Sequence, residues 1–498
     1  MIRPRFLAAL WAGKLTRVAV NLIDKKRGTN LPGAVALRVD PQFMRRVSGV
    51  SAEKVIATTG TNGKSTSNNM IVHVLRAAGY RVASNLEGAN MVGGVATALV
   101  DNSSMGGKLQ ADWLCLEVDE RSLGAVSRAL PIGTLAVTNI QKDQVQRNGE
   151  PDYILQKIRR SLVTPEADSA TGTSRTNAAT DGTAPAHQPT APAVSAPAPS
   201  SPNQVASTPL LVLNDDEPNS RSLATTGLPT LFYGVDENSR SQRHTSPYAV
   251  TMPCAACGRG RIEFDYQNIS NIGPFRCSVC GFGSSQADGV RLTQVDFDKA
   301  TFTADSHTFP MPYTQSFFTY SYALTVALAK HLGITPRITA QALGNFVNVA
   351  GRTETLTYAG KTIHYLRIKQ ENPDTLQSAF NAIAAAPGDS KTLILGLCEL
   401  TDFQPFYTNT FYVYDTEVGV LTEGGVTETI CFSKHVAIDT AAAMENCGYP
   451  ASATKVLPTD EVADVLEAIR QSPNDEIFLI TWLGWYSQMQ AEIERRKH

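Results

Sequence analysis

Residues 54–75 limit what this chain can fold into more than any others. Lys54-Val-Ile-Ala-Thr-Thr-Gly-Thr-Asn-Gly-Lys-Ser-Thr66 runs from an apolar strand into a loop with glycines at 60 and 63, and the residues that follow put Met70, Ile71, Val74 and Leu75 on one helical face. A strand that passes through a glycine loop straight into a helix is an arrangement that binds phosphate. Backbone N–H groups can approach the anion closely, and the helix N-terminus adds a favourable dipole. On this reading Gly60, Thr61, Asn62, Gly63, Lys64, Ser65 and Thr66 form a nucleotide-binding loop. Lys64, an exposed loop lysine, reaches the β and γ phosphates, and the Ser65 hydroxyl ligates Mg²⁺. The strict form of the motif has a further glycine where this chain has Thr58. The competing reading is an incidental Gly-Lys-Ser turn.

From Val55 onward apolar runs alternate with helical patterns, which predicts an α/β fold with a parallel sheet covered by helices. Strands are expected over 55–58, 113–118, 135–138, 210–213 and 231–233, and a helix over 320–332 returns the chain to this first unit. With 498 residues the chain exceeds a single core. We divide it into a helical lead-in (1–50), a central nucleotide-binding domain (51–350) and a C-terminal Rossmann-like α/β domain (351–498). In the last, a new alternation begins after Asn372-Pro373, with strands near 392–397, 429–432, 455–457 and 477–481. Residues 165–208 are rich in Ala, Pro, Ser and Thr, with Val194 and Val205 as their only larger aliphatics. That composition cannot offset its own ordering entropy, so a disordered insertion is expected there.

Cys254-Ala-Ala-Cys257 and Cys277-Ser-Val-Cys280 form two thiolate pairs, each followed by a glycine (Gly258 and Gly281) as a tight knuckle turn requires. Four sulfurs in this spacing suit tetrahedral Zn²⁺ in a ribbon inserted at 250–285, and a closed set of protein ligands makes the metal structural. Eight cysteines in this length are too few for a disulfide framework, which points to a reducing compartment. The first residues hold an apolar run interrupted by Lys14 and Arg17, read as an amphipathic helix of a cytoplasmic protein that can touch the inner face of a membrane. With 44 basic residues against 46 acidic and no long block of either sign, a nucleic-acid partner is excluded.

The loop Thr59-Gly-Thr-Asn-Gly-Lys-Ser-Thr66 resembles that of the Mur ligase and folylpolyglutamate synthase superfamily, whose members join a carboxylate to an amine through an acyl phosphate. Glu117-Val-Asp-Glu120 resembles the family's acidic Mg²⁺ motif, and Asn214-Asp-Asp-Glu-Pro218 resembles a second strand end where a carboxylate can face a cation. Thr138-Asn139 to Arg147 is similar to a segment in which amino-acid-adding members place a metal-bound histidine; here the position is Gln144. With the cysteine ribbon, the segment Gly28-Thr-Asn-Leu-Pro-Gly33 and the short C-terminal domain, the pattern resembles the MurT family. Those proteins are synthetase subunits that amidate the D-glutamate α-carboxylate of lipid II to D-isoglutamine, using ammonia released by a GatD glutaminase.

The resemblance implies ATP and Mg²⁺ as cofactors beside structural Zn²⁺, a GatD-like partner and lipid II as substrate. It implies Lys64 and Glu117 as catalytic residues, with Glu117 and Ser65 on Mg²⁺, and Arg352 as a charged contact to phosphate or substrate. It also implies that Asp402 of the C-terminal domain completes the partner's Cys-His pair, with Glu399 and Asp415 as alternatives. Two positions depart from the family: Tyr322 stands where an adenine-contacting asparagine is expected, and Thr481-Trp-Leu-Gly484 replaces Thr-Tyr-Thr-Ala. A free-standing amino-acid ligase and a non-catalytic nucleotide-binding scaffold are the alternative functions.

Overall fold

A computed structural model of the chain describes residues 4–23, 30–85, 89–162, 208–243, 252–285, 289–347, 353–397, 399–400 and 407–496. Arg352, Asp402 and the insertion read at 165–208, Thr208 excepted, lie outside the described residues.

The first sheet is built on β1 (Val55–Thr59), β2 (Val82–Ser84), β3 (Trp113–Glu117), β4 (Thr134–Val137), β5 (Leu210–Asn214) and β6 (Thr230–Val235). Its order at this end is β6-β5-β4-β1-β3-β2, all parallel. Every residue of β1 is buried, as expected of a strand covered on both faces. Its side chains alternate between two cores. Ile56 packs with Met70, Ile71, Val74 and Leu75 of the helix Lys64–Ala77 and with the helix Phe317–His331. Val55 and Ala57 pack on the other side, with the helix Val92–Asp101 and the N-terminal helix Pro4–Ile23.

After β6 the chain makes a small hairpin, β7 (Ile262–Phe264) with β8 (Phe275–Cys277), and returns as β9 (Val290–Asp296) parallel to β6. The antiparallel strands β10 (Thr301–Ala304) and β11 (His307–Pro310) extend the sheet to nine strands. The sequence reading lacked β9, β10 and β11 and went directly from the cysteine ribbon to a helix. These strands mix Thr, Gln and Asp among their apolar positions and are only partly buried, so they carry no continuous apolar run.

The second sheet has the order β12-β13-β19-β14-β17-β18. It opens with an antiparallel hairpin, β12 (Thr353–Tyr358) with β13 (Lys361–Leu366). Strands β14 (Lys391–Gly396), β17 (Val426–Phe432), β18 (Thr454–Leu457) and β19 (Glu476–Ile480) then pair in parallel. A two-residue pairing, β15 (Glu399–Leu400) with β16 (Tyr407–Thr408), lies outside this sheet. Separate cores cover its two faces, one round Leu393, Leu395 and Phe380 and one round Ile394, Leu479 and Trp485.

Candidate functional site

The glycine loop leaves β1 at the centre of the first sheet. Gly60 has φ 127° and a Cβ on it would lie 2.3 Å from Thr138 Oγ1, so the close approach of the loop to the end of β4 requires glycine. The loop is tied to that neighbour residue by residue. Thr61 N donates to Asn139 O (2.8 Å), Asn62 N donates to Asn139 Oδ1 (2.9 Å), and Gln141 N donates to Thr61 Oγ1 (2.9 Å). On the other side Ser67 Oγ donates to Ser321 Oγ at 3.0 Å. The loop's shape is thus held by its surroundings, leaving its backbone at the N-terminus of the helix Lys64–Ala77, where an anion is favoured.

Lys64 is buried, which corrects the expectation of an exposed lysine. Its ammonium donates to the carbonyls of Gly60 and Thr61 and pairs with Glu120 Oε1 at 2.8 Å. Burial alone would discourage its charge, but Glu120, with Glu117 and Asp143 adding to it, holds the ammonium above its ordinary pKa. Glu117 stands beside Thr58 in the register of β3 with β1. It is buried, its Oε1 accepts from Asn90 Nδ2 (2.9 Å), and Asn85 grips its backbone N–H and carbonyl. Two carboxylates and the Ser65 hydroxyl at the head of the helix are hard oxygen donors of the type Mg²⁺ takes. The sequence reading chose Glu117 for this corner and left Glu120 without a role, although both lie in one acidic run.

The second acidic strand end behaves differently. Asp215, Asp216 and Glu217 are fully buried. Asp216 binds Arg291 (3.0 Å), the Tyr320 hydroxyl (3.0 Å) and Val235 N (2.8 Å), and Asp215 pairs with Arg221 and Arg291. Glu217 caps the short helix Pro218–Ser222 and accepts from Ile140 N; burial pushes its carboxyl up to about 7 against those bonds. These groups join the strand end to the cysteine hairpin, through Gly273 N to Asp216 O (3.0 Å) and Ser284 Oγ to Asp215 O (2.7 Å). Their oxygens are occupied by the protein itself, so the expectation of a cation-facing carboxylate does not hold for this segment.

A cavity of about 350 Å³ lies between the two sheets, with Asn62, Gly63 and Thr66 of the loop on one side and Arg367, Asp374 and Thr375 on the other. Asp374 is the least expected group in it. Its Oδ1 accepts from Ser270 Oγ (2.9 Å) and Asn271 Nδ2 (2.6 Å), so it clamps the second sheet's first helix, Pro373–Ala385, onto the cysteine insertion. Its Oδ2 has no hydrogen-bond partner among the described residues. Burial, opposed by those two bonds and aided by Asp415 and Asp143, pushes this carboxyl up to about 7. Tyr322 does not reach the cavity: its ring is buried and its hydroxyl is bound to the backbone of Tyr313. Tyr320 and Ser321 of the same helix line the cavity instead.

The segment after β4 carries most of the contact between the sheets. Lys142 pairs with Asp415 (2.6 Å), Asp143 with Lys369 (3.2 Å), Gln144 N donates to Glu371 O (2.8 Å) and Val145 N to the Tyr412 hydroxyl (3.0 Å). Gln144 itself has φ 45° and starts the helix Val145–Asn148. Asp415, an alternative carboxylate for a partner, is therefore engaged in this closure. Sequence reasoning had no means of finding these pairs, because their partners are more than two hundred residues apart.

The four hairpin cysteines converge, with all four Sγ atoms within 4.8 Å of one another. Cys254 with Cys280 and Cys257 with Cys277 are each 3.8 Å apart. Four sulfurs about 2.3 Å from a central Zn²⁺ form a tetrahedron with edges of about 3.8 Å, so the donor set fits that ion. Gly258 and Gly281 have φ 66° and 72°, the left-handed turn each knuckle needs. Backbone N–H groups of Arg259 and Gly260 pull the Cys257 thiol down to about 6.

No family model matches the chain. It is 26% identical over 353 residues to the curated "Lipid II isoglutaminyl synthase (glutamine-hydrolyzing) subunit MurT" of Staphylococcus aureus (strain COL), covering 70% of this chain and 68% of that one. It is 24% identical over 479 residues to the protein of the same name from Streptococcus pneumoniae, covering 95% and 93%. Among solved structures it is similar to MurF from Acinetobacter baumannii, with TM-score 0.57 and 12% identity over 93% of this chain and 80% of that one, a likeness of fold.

Proposed function

We propose that this chain, a homologue of the MurT proteins with the Mur ligase fold, is the ATP-dependent synthetase subunit of a peptidoglycan amidotransferase. The observation that carries the reading is the corner where Lys64, Glu120 and Glu117 meet the glycine loop, beside a cavity that residues of the second sheet close. On this reading residues 51–350 and 351–498 are the two domains that clasp the nucleotide, and 1–50 is a lead-in whose described helices pack on the first. The loop backbone holds the phosphates, and Lys64 stabilises the charge that develops on the transferred γ-phosphoryl group. Ser65 and Glu117 would hold Mg²⁺, which neutralises charge on the phosphates when bound.

In the proposed reaction an oxygen of the D-glutamate α-carboxylate of lipid II attacks the γ-phosphorus, the bond to ADP breaks, and an acyl phosphate forms. Ammonia then attacks the acyl carbon and inorganic phosphate leaves, giving the amide. A GatD-like glutaminase supplies the ammonia. Asp402, and Arg352 as a contact to phosphate or substrate, keep the roles the resemblance implies. Asp415 is disfavoured for the partner's site because Lys142 holds it, and Gln144 in place of a histidine disfavours the amino-acid-adding reaction. The hairpin cysteines hold structural Zn²⁺.

The test is co-expression with a glutaminase subunit, followed by measurement of ADP release with lipid II in the presence of glutamine or of free ammonia. Glutamine- and ammonia-dependent release, with amide formed on lipid II, is expected. Release that instead requires a free amino acid, with the amino acid joined to the product, overturns the amidotransferase reading in favour of an ordinary ligase.

A further inference from the structure

The N-terminal helix Pro4–Ile23 has one face with no role in the site. Phe6, Ala9 and Leu10 are buried, Phe6 stacks on Phe43, and the helix is fixed to the helix Val92–Asp101 and the turn after it by Lys14 Nζ donating to Val100 O (2.9 Å) and Ser103 O (2.8 Å). Arg17 pairs with Asp101 at 3.2 Å on the same side. These contacts turn the opposite face outward, and there Trp11, Leu15, Val18 and Leu22 are 43%, 65%, 60% and 83% exposed. The spacing i, i+4, i+7, i+11 puts the four in one stripe along three turns. Scattered exposed apolar residues are ordinary, but four in line on one helix are a surface made to meet something.

The charge of the N-terminal segment that carries the stripe says what. Among the described residues of 4–47, the basic ones are Arg5, Lys14, Arg17, Arg38, Arg45 and Arg46, and the one acidic residue, Asp40, is buried against Arg46. The whole chain, by contrast, has more acidic than basic residues, 46 to 44. Arg5, Arg38 and Arg45 are exposed. A tryptophan in an apolar stripe on a segment of net positive charge is the composition of a helix that lies in the plane of a bilayer surface carrying anionic lipid. No helix among the described residues is long and apolar enough to cross a membrane, so this one would rest on it.

We propose that the outer face of the helix Pro4–Ile23 docks the protein on an anionic bilayer surface, with Trp11, Leu15, Val18 and Leu22 entering the headgroup boundary. The inference stands on the helix and its charge, and it deepens the functional reading by bringing the site to the surface where a lipid-linked substrate resides.

The experiment is flotation of the full chain with vesicles of phosphatidylcholine containing about a third phosphatidylglycerol, against vesicles of phosphatidylcholine alone. Neither contains the substrate. Flotation with the anionic vesicles, weakened by salt, is expected, and Leu15→Glu with Val18→Glu should lower it at least tenfold. Trp11→Phe should abolish a blue shift of tryptophan emission on vesicle addition while leaving flotation largely in place. Nucleotide turnover on a soluble substrate analogue, unchanged in the double variant, shows that the variant is folded. Flotation equal in wild type and double variant overturns the proposal, as does no flotation of wild type. So does a self-associated wild type that the double variant converts to monomer, which assigns the stripe to a second copy. Loss of glutaminase retention in the double variant with flotation intact assigns it to the partner and also overturns the proposal. Failed flotation with intact turnover rejects the docking face alone; intact flotation without amide formation rejects the functional reading alone.

Discussion

The carboxyl of Asp374 should make closure of the two sheets pH-dependent. It is buried between them, bound through Oδ1 to Ser270 and Asn271, with Oδ2 lacking a partner among the described residues. Burial raises its pKa from 3.8 to about 7, and Asp415 and Asp143 add to the rise. A carboxyl whose pKa is raised by folding binds more protons in the closed form than in the open one. Closure is therefore strongest at low pH and weakens as pH rises from about 4 to about 7. At 1.36 kcal/mol per unit the full shift is worth up to about 4 kcal/mol, all of it lost above pH 7. Asp374→Asn keeps an oxygen for the Ser270 and Asn271 donors and cannot ionise. At pH 5 the open form is already mostly ionised, so the variant should be somewhat more firmly closed than wild type, by about 1.6 kcal/mol, and at pH 8 it should be far more firmly closed. The amides of Gln144 and Val145 report this directly, because they donate across the interface to Glu371 O and the Tyr412 hydroxyl. Hydrogen exchange at these two amides, corrected for intrinsic rate, should be slower in the variant by roughly 10³-fold at pH 8 and by only roughly tenfold at pH 5. A wild type and variant with the same pH dependence would refute the reasoning, as would a variant that exchanges faster at pH 8.

Lys64→Ala should reduce ATP turnover below about a thousandth of wild type, and it should also destabilise by about 3 kcal/mol because it leaves the Glu120 carboxylate buried without its cation. Adding Glu120→Gln should recover the melting temperature without recovering ADP release; turnover retained in Lys64→Ala would end the assignment of the loop. Elemental analysis should find one Zn²⁺ per chain, and Cys277→Ser should lower metal content and thermal stability together. Protein purified without metal and equally stable would show that the four thiols serve another purpose.

What the sequence revealed about this molecule follows the range over which its residues interact. The strand, loop and helix from Val55 to Ala77 were legible because each part is decided within a few residues: an apolar run for β1, glycines where the backbone turns, a periodic face on the helix. The ribbon was legible because thiolate spacing is itself the geometry of the ion. The edge strands β9, β10 and β11 were not, since partly exposed strands carry mixed residues and need no apolar signature. Nor was the division of labour among carboxylates. Glu117, Glu120, Asp215, Asp216 and Glu217 all sit at or just past the ends of central strands, yet Arg291 and Arg221 occupy the Asp215 and Asp216 oxygens while Lys64 shares its corner with Glu117 and Glu120. Arg291 enters from β9, one of the strands the sequence reading lacked, so missing the strand and misjudging the carboxylates were one error. The same holds for Asp374, which becomes a clamp only because the second sheet is folded against Ser270 and Asn271 in the cysteine insertion. An acidic residue in this fold takes its function from the cation or donor that long-range topology sets beside it, and that neighbour must be known before a carboxylate at a strand end can be assigned to metal, to catalysis or to the scaffold.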